Sequence, residues 1–137
     1  MIARGYLKLD PFEVWGNGEQ IRNWTYVDDI VSGTIATAEK IHDGTSINLG
    51  TMERIKVKDC ADQVIDTLNP GATIKLLTDK PTGPLNRVAS NALAKKLLGW
   101  EPKTSFQAGL HKTIKWYIES KTTEQASADL TRKLVGR

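Results

Sequence analysis

Turn-forming residues cut this chain into short pieces, and that punctuation limits the fold more than anything else in the sequence. Asp10-Pro11, Gly16-Asn17-Gly18, Asp43-Gly44, Asn69-Pro70-Gly71, Gly83-Pro84 and Gly99 followed by Pro102 recur along only 137 residues. Proline pushes the residue before it out of the helical region, and glycine opens positive φ, so each cluster ends an element. No apolar run between them reaches the ~20 residues of a membrane-crossing helix. The pieces must therefore be short helices and strands sharing one core, as the length of a single domain allows.

Apolar spacing types the pieces. Residues 1–9 read as a short helix and residues 12–15 as a short strand. Residues 16–18 form a solvent-facing turn, and residues 22–26 read as β. Asp28 or Asp29 is expected to cap the next helix, with Ile30, Thr34, Ile35, Ala38 and Ile41 on its inner face. Residues 46–49 read as a strand closed by Gly50. Val57, Ala61, Val64, Ile65 and Leu68 mark a third helix, and residues 73–77 another strand. Residues 87–89 form a short extended piece. Ser90 is expected to cap a helix that Gly99 ends in a left-handed residue, with Trp100 packed back on Leu97. Ser105 is expected to cap a last long helix with Phe106, Leu110, Thr113, Ile114 and Tyr117 inward. The fold class expected is α+β: four or five helices with short strands between. Residues 1–121 form the domain, and residues 122–137, spaced by Leu130 and Leu134, a helical extension or frayed tail.

Composition narrows the function. The net charge of +3 is spread without a basic stripe interleaved with aromatics, which argues against nucleic acid. It equally suits a small anionic ligand. The N-terminus lacks the apolar stretch of a signal peptide, so a cytoplasmic location is the default. The single cysteine, Cys60, excludes an internal disulfide and reads as a buried thiol. His42 and His111 stand alone, without partners at metal-ligand spacing. Tyr117 and Lys121 match a Tyr-x-x-x-Lys pattern, but Tyr117 lies on the apolar face of its helix. The pair reads as a packed tyrosine and a solvent-exposed lysine. Gly16-Asn17-Gly18 lacks the third glycine and the following helix of a dinucleotide-binding turn. No catalytic residue and no cofactor site emerges.

Two arginines resist the bland reading. Arg22 follows the glycine turn in an expected strand, and Arg87 follows a Gly-Pro loop just before a helix. Both could be ordinary surface or ion-paired arginines. They could also converge, because two planar guanidinium forks can hold a diphosphate.

The stretch GNGEQIRNWTYVDDIVSGT resembles the Gly-Asp-Gly-x-Gln-x-Arg-x-x-x-Tyr-Val-x-Asp block of the extended short-chain dehydrogenase/reductase family, the NAD-dependent sugar-nucleotide epimerases and dehydratases. INLGTMERIKV is similar to the family's Tyr-Asn-Leu-Gly strand and following helix. PLNRVASNALAKKLLGWEPKTSFQAGLHKTIKWY resembles its C-terminal signature. The blocks occur in family order and span residues 12–118.

The resemblance implies a substrate-binding lobe in which Arg22 and Arg87 grip a nucleotide diphosphate. Gln20 lies in the nucleotide-contacting loop, Asn17 stands where the family often has Asp, and Trp24 and Tyr26 shape the pocket. Ser90 replaces the usual Asp. The family's glycine fingerprint, catalytic Ser/Thr and Tyr-x-x-x-Lys pair lie upstream of these blocks, so the chain resembles a detached C-terminal part. NAD is implied only if a separate Rossmann subunit partners it. The expected ligand is a nucleotide sugar. The expected assembly is a homo-oligomer, a dimer first, that covers the former domain junction around residues 46–49. A substrate subunit of a split enzyme and a protein-interaction module without ligand are the alternatives.

Overall fold

The computed structural model describes residues 1–135, with side chains described through residue 132. Its elements are α1 (Ile2–Tyr6), β1 (Phe12–Trp15), β2 (Ile21–Arg22), α2 (Val27–Lys40), β3 (Ile55–Lys56), α3 (Val57–Leu68), β4 (Ile74–Leu77), β5 (Asn86–Arg87), α4 (Ala92–Leu98), α5 (Phe106–Ser120) and α6 (Thr123–Val135). The α+β class holds, with helix dominant and two small sheets. The described residues contain six helices rather than four or five, because residues 123–135 form a helix of their own. The side chain of Leu134 lies outside the described set. Among the described residues no helix is long and apolar enough to cross a membrane.

The chain divides into two compact units. The first comprises Met1–Gln20, Lys56–Leu85 and Thr113–Arg137. Its sheet is a parallel ladder in which Phe12, Glu13, Val14 and Trp15 of β1 register with Ile74, Lys75, Leu76 and Leu77 of β4. Phe12 and Val14 alternate inward and are buried, as a period of two requires of a one-faced strand. The crossover between these strands carries α3, whose Cys60, Ala61, Val64, Ile65 and Leu68 form the expected buried stripe. Burial raises the Cys60 thiol to about 11. Helix α1 lies close on α3: a Cβ at Gly5 would come within 2.9 Å of Val64 Cγ1. Ala126 of α6 is fully buried.

The second unit comprises Ile21–Ile55 and Asn86–Lys112. Its core gathers Ala94, Leu98 and Trp100, with Ala36, Ile41, Ile47 and Leu49 packed against them. Trp100 thus packs on Leu98, not on the exposed Leu97, because Leu98 shares the buried α4 face with Ala94. Gly99 adopts the left-handed conformation expected (φ 67°, ψ 20°). Asn91, not Ser90, is the N-cap of α4, and Ser90 Oγ accepts the Ala92 N–H from one residue further out.

Three further expectations change. Residues 46–49 pair in no ladder, although Ile47 and Leu49 still alternate inward. The periodicity was real, but hydrophobic packing alone satisfies it. Helix α2 begins at Val27 behind Tyr26, without a side-chain cap. Its inner face is Asp29, Gly33 and Ala36, while Ile35 is exposed. A Cβ at Gly33 would stand 2.9 Å from Leu49 Cδ2 and Trp100 Cε2, so the close approach belongs to that face. Finally, β2 ends at Arg22 instead of continuing to Tyr26.

Candidate functional site: an arginine ladder

Strands β2 and β5 are parallel neighbours, and their register sets Ile21 against Asn86 and Arg22 against Arg87. Registered residues of neighbouring strands send their side chains to the same face, with strands ~4.8 Å apart. The two sequence-selected arginines are therefore brought together at the backbone. Arg22 is half-buried, and one of its guanidinium nitrogens donates to the Ile21 carbonyl at 2.7 Å. Arg87 is exposed. Like charges placed opposite one another tend to destabilise a sheet, and here the Arg22 guanidinium is turned to the Ile21 carbonyl.

The aromatic candidates sit in the same unit. Trp24 is 36% exposed and lies against the Phe106 ring, with centroids 5.5 Å apart. Tyr26 closes against Gly109, where a Cβ would come within 3.2 Å of its own Cβ, and Lys112 Nζ stands 4.9 Å from its ring centroid. Neither aromatic occupies a strand position. Asp29 does not cap α2. Its buried carboxylate accepts the Lys103 and Thr104 N–H groups at 3.1 and 2.9 Å and so pins the loop before α5.

Asn17 and Gln20 belong to the first unit. Asn17 is exposed, and its Oδ1 accepts the Glu19 N–H, an Asx turn. Gln20 is 3% exposed; its Nε2 donates to the Trp15 carbonyl, and its Oε1 is buried with no hydrogen-bond partner. The flanking glycines are buried rather than solvent-facing, both at φ 78°. A Cβ at Gly16 would collide with Thr82 and Gln20, and one at Gly18 with Lys58. The first N–H groups of α3, from Val57 and Lys58, donate to the Gln20 and Gly18 carbonyls. That turn therefore caps a helix internally, and its close space and donors are already taken. It does not fit a dinucleotide pyrophosphate, which needs open glycines and free helix N–H groups.

The Tyr-x-x-x-Lys match is structural. Tyr117 packs edge-on against Tyr6, 5.9 Å between centroids, and Lys121 pairs with Asp129 at 2.9 Å, so the lysine is not simply solvated. His42 and His111 are both exposed. Among the described residues no group of three His, Cys, Asp or Glu gathers to hold a metal.

Sequence reading missed the residues that surround β2. Asn23, Thr25, Thr51 and Glu53 form a hydrogen-bonded set in the second unit. The signal was present, since Asn23 and Thr25 flank Trp24 as polar residues two apart on an expected strand.

These features match known proteins. The chain is 35% identical over 109 residues to UDP-glucuronic acid decarboxylase 2 of Arabidopsis thaliana, covering 80% of this chain and 24% of that protein. It is 33% identical to dTDP-glucose 4,6-dehydratase of Escherichia coli, covering 89% and 36%. Among solved structures, the epimerase Mth375 of Methanothermobacter thermautotrophicus superposes with a TM-score of 0.76 at 27% identity, covering 96% of this chain and 38% of that one. The UDP-glucuronic acid 4-epimerase of Bacillus cereus, solved with UDP-glucuronic acid and NAD, gives 0.72 at 28%, covering 85% and 39%. The chain spans about a quarter to two-fifths of the length of these relatives. What it matches is the substrate-binding portion of NAD-dependent epimerases and dehydratases. The chain belongs to the GDP-mannose 4,6-dehydratase family, whose model matches residues 1–113.

Proposed function

We propose that this chain binds the diphosphate of a nucleotide sugar through Arg22 and Arg87, with Trp24 and Tyr26 beside them and no redox step of its own. The observation that carries this reading is the register of Arg22 with Arg87 on adjacent parallel strands. Two guanidinium forks on one sheet face match two phosphate groups. UDP-glucuronic acid, named for one related structure, is a diphosphate of this class. Hydride chemistry in such enzymes comes from NAD, and under this reading a separate cofactor-binding subunit would supply it. Asn17 and Gln20 act by shaping the turn that precedes β2.

Isothermal titration with UDP- and GDP-sugars tests this. Arg22→Ala and Arg87→Ala should each weaken binding about tenfold or more, the scale of a lost charge-assisted hydrogen bond. Binding untouched by both substitutions would remove the clamp.

The dimer expected from the sequence, covering the junction around residues 46–49, also stands as a proposal, and the exposed apolar face of α2 is a further candidate for its interface. Val27, Val31 and Ile35 lie 60%, 50% and 54% exposed along one face of that helix, and a second copy would bury them. Light scattering on Val31→Lys with Ile35→Lys should show a monomer where the parent is a dimer. A parent that is monomeric at high concentration refutes it.

A further inference from the structure

The hydrogen bonds of Thr51 suggest how the arginine ladder is aimed. Asn23 Nδ2 donates to the Thr51 carbonyl at 3.0 Å, and the Thr51 N–H donates to Thr25 Oγ1 at 2.9 Å. Both main-chain groups of one buried residue are thus held by side chains on either side of Trp24. This explains why β2 stops at Arg22. From Asn23 onward the side chains, rather than the backbone, carry the hydrogen bonds to the neighbouring segment. The set then closes on itself. The Glu53 N–H donates to Thr51 Oγ1 at 3.2 Å, Glu53 Oε2 accepts the Phe106 N–H at 2.6 Å, and the Phe106 ring lies against Trp24. Gly50 is part of the fit, because a Cβ there would stand 2.9 Å from Asn23 Nδ2.

We infer that Asn23 and Thr25 are positioning residues for the anion grip: their two-point hold on Thr51 fixes the exit of β2 and so the direction in which Arg22 leaves the strand beside Arg87. The inference rests on the proposed diphosphate site. β2 is only two residues long even as the middle strand of the β3-β2-β5 sheet, and the Arg22 guanidinium is itself held to the Ile21 carbonyl, so the clamp adds its constraint at the point where the strand ends. Preorganised donors bind an anion with less ordering to pay for.

Two measurements on the whole chain test it. The first needs no ligand. In Asn23→Ala and Thr25→Val, amide exchange at Arg22 and Thr51 should quicken about tenfold or more, while Val64 in the other unit is unchanged. Gly50→Ala should do the same by crowding Asn23. The second is titration with inorganic pyrophosphate at a temperature where circular dichroism shows each variant folded. Asn23→Ala should weaken binding about fivefold to tenfold in the parent and have no further effect in Arg22→Ala. A loss of stability alone would lower affinity equally in both backgrounds, and that equality would overturn the inference. So would unchanged exchange at Thr51 and Arg22. Exchange that quickens in a chain whose parent binds no pyrophosphate would instead overturn the diphosphate site and leave the clamp as a fact of the fold.

Discussion

The β1–β4 and β2–β5 parallel ladders of this protein are built on opposite principles. The β1–β4 ladder has four registered pairs and buries Phe12 and Val14. The β2–β5 ladder has two pairs and sets one arginine against another on a partly exposed face. The first gains from every residue it pairs. The second lies in the short three-stranded sheet β3-β2-β5, and the side chains just past the end of β2 bond to Thr51. A strand pairing that opposes like charges is a poor way to build stability, and a good way to gather positive charge at a fixed spacing.

Substitutions can break that contrast, and the largest effect belongs to the first ladder. Phe12→Ala empties a fully buried site and should cost about 3–5 kcal/mol in chemical denaturation, with diphosphate affinity unchanged in the folded fraction. Asp29→Ala leaves the Lys103 and Thr104 N–H groups without their acceptor and should cost about 1–3 kcal/mol. Gly18→Ala combines a left-handed φ with a Cβ that meets Lys58, and should cost about 1–2 kcal/mol. Arg87→Glu runs the other way. Replacing a like-charge pair by an opposite-charge pair should stabilise the fold by about 0.2–1 kcal/mol while abolishing pyrophosphate binding. If that variant were less stable than the parent and still bound the anion, the contrast between the ladders would fail.

The smallest effect at neutral pH concerns Cys60. Burial disfavours its thiolate and lifts the group from 9.0 to about 11. The folded state therefore prefers the neutral thiol. Nothing changes below pH 9, and stability falls as pH rises from there toward 11. Cys60→Ala should flatten that part of a melting-temperature profile, and the parent thiol should react with a disulfide reagent at pH 8 only as the protein unfolds.

Comparing α3 with α2 shows what could be read in advance. Helix α3 is apolar on one face and polar on the other, so spacing alone located Cys60, Ala61, Val64, Ile65 and Leu68 in the core. Helix α2 carries apolar residues on both faces, and its inner face is fixed by Gly33 and a buried aspartate. Periodicity placed Thr34, Ile35 and Ala38 inward, where the structure exposes them, because it weighs spacing and not closeness of approach. Residues 46–49 make the same point for strands, since alternation predicts which side chains turn inward but not whether a neighbouring strand exists.

For the candidate site, the sequence singled out Arg22 and Arg87, because glycine and proline turns beside them mark places where backbone direction is constrained, and the structure sets the two in register. Their resemblance to a family block supplied the reason to pair them. Asn23, Thr25 and Thr51 were not legible as a set, because the hydrogen bonds among them join segments far apart in the chain.

The order of amino acids alone determined the α3 stripe, the left-handed stop at Gly99 and the buried thiol, since each depends on neighbours within a few residues. Only the tertiary structure decided which α2 face turns inward, where β2 ends, and that Arg22 stands opposite Arg87. Those outcomes depend on how distant segments meet, and strand register is a property of two segments together that neither encodes by itself.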